Sequence, residues 1–274
     1  MYHGLTNDFL YAAYKVIVHF WDETGNSKTE FDISGTGFFV ASESNKNKIC
    51  FVTNRHILDI NYAREDIEKR KDIEKYEDFK IKYITVLGRT RDDLPSVNFF
   101  YPLNIRFSET HENDVACIVN PFSIPLAEVP FVPISYWLPI NFLATKDQLT
   151  KKLSICDFLA FPGYPKWHDK LEGRPILRTG TISSAPRRNY SFSAEFRGEC
   201  IAYEAFSSGG SSGSPVFALE KGPKTGGALV FPGYRELLLI GINAGHITDG
   251  KEHSGISYFY KSSVILDIIG NTLQ

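Results

Sequence analysis

Residues 207–217 read SSGGSSGSPVF, a run of serines and glycines that ends at a proline and an apolar strand. Glycines at 209, 210 and 213 permit positive φ and close approach, so successive backbone N–H groups can face one concavity while a small hydroxyl is held at its edge. Acyl transfer requires that arrangement, because the tetrahedral intermediate places negative charge on a former carbonyl oxygen. A serine hydroxyl is a weak nucleophile at neutral pH and needs an imidazole beside it, and the imidazole needs an acceptor that fixes its tautomer. Of seven histidines, His56 follows the apolar stretch KICFVTN, at a strand-to-loop junction that suits a base. Asp114 lies in HENDVACIVNP, a short carboxylate at the entry to another apolar strand. His111 is a rival base, three positions before Asp114, but it lacks a preceding strand.

Residues of this kind must be positioned by a rigid frame, and the rest of the chain supplies β-strand patterns. Short apolar or alternating runs recur between turn residues: YKVIVHFW, GTGFFVAS, KICFVTN, FKIKYITVLG, DVACIV, KLSICDFLAFPG, RPILRTGTISS, ECIAYEAF, ELLLIGINAG and GISYFY. Their length and spacing predict an all-β barrel or sandwich. Two helical patterns interrupt them. Residues 59–78 are charged with a thin apolar stripe (Ala63, Ile67, Tyr76) and read as a surface helix inserted between strands. SSVILDIIGNTL reads as a terminal helix capped by Ser262 or Ser263, with Val264, Ile265, Ile268 and Ile269 buried. Five prolines between Pro121 and Pro139 break up regular structure. The expected organisation is therefore an N-terminal unit over residues 1–120, a proline-rich crossover over 121–150, and a C-terminal unit over 151–274.

The 274 residues are ample for a large core, and 43% hydrophobic content with 3 Trp, 14 Tyr and 21 Phe argues against disorder or a coiled coil. A net charge of −2 provides no field for nucleic acid or an anionic membrane. No apolar run approaches the roughly 18 residues that span a bilayer. The N-terminal stretch lacks a basic leader region and carries Asp8 within its apolar part, so a cytoplasmic location is expected. Cys50, Cys117, Cys156 and Cys200 have neither metal-ligand nor disulfide-framework spacing, and neither a metal nor a cofactor is expected.

The sequence TNRHIL, then ENDVACI, then GSSGSPVF, in that order, resembles the chymotrypsin-fold serine peptidases. The likeness extends from GTGFFV at 35–40 through FPGYP and GINAG to GISYFY. The SGSP variant is closer to bacterial trypsin-like and glutamyl-endopeptidase-like members. The resemblance implies two six-stranded antiparallel barrels with the site between them, together with the terminal helix and the charged helical insertion. It implies His56 as general base, Asp114 as its orienting carboxylate, Ser212 as nucleophile, and the Gly210 and Ser212 amides as an oxyanion hole. It further implies that Asn243, Ala244 and Gly245 pair with the substrate backbone, while Phe206 stands at the base of the specificity pocket and Gly255 leaves a wall open. With no acid at Phe206, the expected residue before the scissile bond is neutral, small or apolar, and Phe206 would shorten the pocket. Ser211 replaces the acid that zymogen-type members use on activation.

The expected function is a serine endopeptidase acting on a protein or peptide substrate. Three other readings compete. A lipase-type elbow would use Ser211 between Gly209 and Gly213 with Asp249 and His253, but SPVFAL continues as a strand where that elbow needs a helix. A protease-like scaffold would bind a peptide or partner without cleaving it, or await a regulatory partner sensed by the insertion after His56. A nucleic-acid-binding barrel lacks a basic cluster beyond Arg187 and Arg188.

Overall fold

The structure is a computed structural model that describes residues 6–22, 30–42, 48–62, 79–90, 92–124, 134, 136–222, 234–249 and 252–270. The charged helical insertion lies almost wholly outside these residues, as does the middle of the proline-rich crossover. Strands dominate, as the patterning predicts. In β1 (Tyr14–Asp22) Tyr14, Val16, Val18 and Phe20 are buried while the residues between them are partly exposed. β2 (Glu30–Ala41) begins with the same alternation but is buried on both faces from Gly35 onward, where the second half of the molecule packs against it.

β1 and β2 join β3 (Ile49–Thr53), β4 (Phe79–Arg89), β5 (Pro95–Phe100), β6 (Ile105–Phe107) and β7 (Ala116–Val119) in one antiparallel sheet of order β5-β4-β1-β2-β3-β7-β6. β8 (Leu138–Pro139) adds to β2 in parallel, pairing Val40 with Leu138. The second unit comprises β9 (Phe158–Gly163), β10 (Ile176–Ile182), β11 (Cys200–Glu204), β12 (Pro215–Ala218), β13 (Leu238–Asp249) and β14 (Glu252–Lys261). These close into a six-stranded barrel of order β10-β11-β14-β13-β12-β9.

The expectation of two six-stranded barrels is thus corrected in its first half, which is an eight-stranded sheet that does not close. At the β5 end the chain returns along the sheet through a single antiparallel bridge between Phe100 and Ser123. The Ile124 amide donates to the Phe99 carbonyl at 2.7 Å and the Tyr101 amide to the Phe122 carbonyl at 3.1 Å, so the start of the crossover lies along β5. β6 is only three residues long, too short to continue the sheet around.

The crossover then ties the halves together. After β8 and a 3-10 turn at Ile140–Phe142, Leu143 bridges Leu239 of the barrel, and the Ala144 amide donates to the Leu239 carbonyl at 2.9 Å. A short helix, α2 (Lys146–Lys152), follows one turn of helix, α1 (Arg55–Leu58), in the chain order. α2 opens with a capping box in which Thr145 and Gln148 satisfy each other's amides. Thr145→Ala is expected to lower unfolding free energy by about 1 kcal/mol in a urea titration without altering activity. The terminal helix α3 (Ser262–Ile269) forms as patterned, but its cap is Lys261 and not a serine. Ser262 is buried inside the helix, its hydroxyl donating to the Ala144 carbonyl at 2.6 Å. One continuous core runs across the joint, from Val16, Phe38 and Phe51 of the sheet to Phe217, Leu239, Tyr260 and Ile265, and a second cluster around Phe161, Tyr203 and Phe259 fills the barrel.

Candidate active site

Asp114 sits at the entry to β7 and is fully buried, at 0% exposure. Its side chain grips the residue that α1 presents. Oδ1 accepts from the His56 backbone amide at 2.8 Å, and Oδ2 lies 2.7 Å from His56 Nδ1. Ile57 and Leu58 bury the inner face of α1, and Asn54 Nδ2 donates to the Asp114 carbonyl at 2.7 Å, so backbone and side chains of both segments are locked together. A carboxylate only accepts, so Nδ1 carries the proton and Nε2 is the accepting face of the ring. The His56 side chain is 30% exposed, which leaves that face reachable. His111, the rival base, is exposed, its carbonyl accepting from Tyr62 and its ring packed on Tyr62 at 5.1 Å.

The serine loop runs from Phe206 to Ser214 between β11 and β12, and side chains of both halves hold it. Thr36, in the GTGFF run of β2, is the principal anchor. Its amide donates to the Ser212 carbonyl at 2.8 Å, its hydroxyl donates to the Gly210 carbonyl at 2.7 Å, and that hydroxyl accepts from the Tyr164 amide at 3.0 Å. Thr53 donates in turn to the Thr36 carbonyl at 2.7 Å. From the barrel, Asn243 receives the Gly213 amide on its carbonyl and donates its own amide to the Ser214 carbonyl, both at 2.8 Å. The Asn243 side chain donates to the Ser211 carbonyl at 2.9 Å and to Ser207 Oγ at 3.2 Å, and accepts from the Tyr203 hydroxyl at 2.6 Å.

These anchors determine which way two amides face. A trans peptide points its N–H opposite its C=O. The Gly209 carbonyl accepts from the Lys166 amide at 3.0 Å, and the Ser211 carbonyl is held by Asn243. The N–H groups of Gly210 and Ser212, on the far sides of those two peptides, donate to no acceptor among the described residues. Gly210 must be glycine here, because at φ +91 a Cβ would stand 2.4 Å from the Tyr164 carbonyl oxygen. Ser212 Oγ donates to the Ala244 carbonyl at 3.2 Å.

Several expectations for the surrounding residues change. Asn243 offers no backbone groups to a substrate strand, since both are engaged by the serine loop. Ala244 and Gly245 lie where β12, which pairs β13 from Leu238 to Ile242, has ended. Phe206 does not fill the base of a pocket: its side chain is 70% exposed and its ring packs 4.8 Å from His253. Gly255, at φ +85, faces open space, with no atom within 4 Å of where a Cβ would stand. His246 and His253 stack at 4.4 Å, and burial, with His246 beside it, pulls the His253 imidazole below its ordinary value. The lipase-type elbow fails on geometry, because Ser211 is fully buried and its hydroxyl accepts from Arg178. Thr36 and Arg178 were not anticipated. For Thr36 a signal existed, since a threonine between two glycines on an otherwise bulky strand marks a place where another backbone comes close.

Comparison with known proteins agrees with this frame. The chain belongs to the trypsin-like peptidase domain family, matched over residues 35–223, and is by class a trypsin-like serine protease. No curated protein matches it at a significant level. Among solved structures, protease Anisep from Arthrobacter nicotinovorans shares 12% identity with a TM-score of 0.52, covering 95% of this chain and 99% of that one. A thermostable serine protease from an extremophilic microorganism shares 14% with a TM-score of 0.52, covering 95% and 96%. The HtrA-type protease AlgW, whose structure was determined with a decapeptide, shares 14% with a TM-score of 0.50, covering 96% of this chain and 65% of its own. At such identities the likeness is one of fold.

Proposed function

We propose that the protein is a serine endopeptidase whose triad is His56, Asp114 and Ser212 and whose oxyanion hole is the pair of Gly210 and Ser212 amides. The observation that carries this reading is the double grip of Asp114 on His56, at 2.8 and 2.7 Å, which leaves Nε2 as the proton acceptor. In this mechanism the Ser212 hydroxyl leaves the Ala244 carbonyl and donates to that nitrogen. Ser212 then attacks the peptide carbonyl while His56 takes its proton. The oxyanion rests on the two amides, each contributing about 3 kcal/mol of transition-state stabilisation. His56 next protonates the leaving amine, and water hydrolyses the acyl-enzyme by the same steps in reverse. The substrate is a protein or peptide, entering as an extended segment along Ala244 and Gly245.

A cytosolic substrate fits the cysteines. Cys50 and Cys117 are free thiols in the core, burial pushing the first up to about 12 and the second well above its ordinary value, and Cys156 is free and exposed. The test is intact mass after treatment of wild type and Ser212→Ala with a fluorophosphonate. Labelling of wild type alone is expected. Failure of folded wild type to label would replace this reading with a peptide-binding scaffold or a protease that requires a partner.

A further inference from the structure

Arg178, in β10, is a partly buried cation with no carboxylate paired to it among the described residues. Its guanidinium lies 4.6 Å from the Phe161 ring centre and 5.4 Å from that of Trp167. Its Nε has no acceptor among the described residues, and burial pulls its pKa below the ordinary value. Partial burial of a charge without a counter-ion carries a desolvation cost that its hydrogen bonds must offset. The two bonds it does make are informative. Nη1 donates to the Phe206 carbonyl at 2.7 Å and Nη2 donates to Ser211 Oγ. One acceptor opens the serine loop and the other belongs to the residue before the nucleophile, so the rigid, planar guanidinium bridges both ends of the segment that carries Gly210.

We propose that Arg178 is a positioning residue that holds the Phe206–Ser211 segment so that the Gly210 and Ser212 amides face the oxyanion, and that its uncompensated charge strengthens the field at that point. This inference rests on the serine-peptidase reading of the site. Thr36 and Asn243 fix the loop from Gly210 onward, and Asn243 and the Lys166 amide also touch its first half at Ser207 and Gly209. Arg178 fixes the two ends of its first half through the Phe206 carbonyl and the Ser211 hydroxyl, and a positive charge there acts in the same sense as the loop amides. Its aromatic neighbours supply flat faces that a guanidinium tolerates better than an ammonium does.

The experiment compares wild type with Arg178→Met, Arg178→Lys and Ser211→Ala, measuring kcat and KM on a peptide amide and the affinity of a peptide boronate, which mimics the tetrahedral adduct. Arg178→Met is expected to lower kcat about 100-fold with KM changed less than about threefold, and to weaken the boronate in parallel. Arg178→Lys, which keeps the charge, is expected to recover to within about tenfold of wild type. If Arg178→Met does not fold, Arg178→Lys and Ser211→Ala carry the test, each with an expected kcat loss of about fivefold or more and matching loss of boronate affinity. An active wild type with unchanged kcat and boronate affinity in the folded variants overturns the role of Arg178 alone. A folded wild type that neither reacts with fluorophosphonate nor binds the boronate overturns the peptidase reading and this inference with it.

Discussion

Asp114→Asn lowers kcat by about four orders of magnitude in the expected result, while the protein stays folded. The size follows from hydrogen-bond polarity. With Oδ1 already accepting from the His56 amide, the substituted side chain must place its NH2 group where Oδ2 now meets Nδ1. An NH2 group donates, so Nδ1 loses its proton to Nε2, and the ring then presents a donor to Ser212 where the reaction needs an acceptor. The checks are steady-state kinetics on a peptide substrate and the imidazole nitrogen chemical shifts, which report the tautomer directly. Activity within tenfold of wild type would sink the assigned role of Asp114.

The largest effect on stability is expected at Gly213. Its φ is +91, and an added Cβ would stand 1.8 Å from the Thr36 carbonyl oxygen and 2.8 Å from the Thr53 hydroxyl. Both are buried, hydrogen-bonded groups of the first sheet and neither can retreat. Gly213→Ala should therefore destabilise by about 3 kcal/mol or more, a fall of about 10 °C in Tm, with loss of fluorophosphonate labelling. Gly255→Ala is the control. It shares a positive φ but meets open space, so about 1 kcal/mol and a small change in Tm are expected. Equal shifts for the two would mean that backbone strain, and not the contact with Thr36, governs the position.

Much of this site could be read from the chain because its members announce themselves locally. His56 follows a strand and stands two residues after a polar Asn54, Asp114 precedes a strand, and Gly210 and Gly213 bracket the serines where positive φ is required. What could not be read depends on which distant group stands behind a residue. The preference for Ser212 over Ser211 is legible in SPVFAL continuing as a strand; what is not legible is that Arg178, 33 positions from Ser211, takes that hydroxyl out of play. Phe206 has the bulk to fill a pocket, but its ring turns outward onto His253, and only its carbonyl matters to the interior. Asn243 lies on a strand edge, yet the serine loop has already claimed both of its backbone groups. The closure of the first sheet was misjudged for a similar reason. Strand patterns were visible, but the brevity of β6 and the return of residues 122–124 along β5 are properties of the assembled sheet.

Thr36 holds the Ser212 and Gly210 carbonyls from one half of the molecule while Asn243 holds Ser211, Gly213 and Ser214 from the other. A chain leaving the ribosome with its first sheet formed has no nucleophile, and an isolated barrel has a serine loop with half its moorings missing. On the proposed triad, the loop that carries the nucleophile is therefore complete only when both halves are packed together.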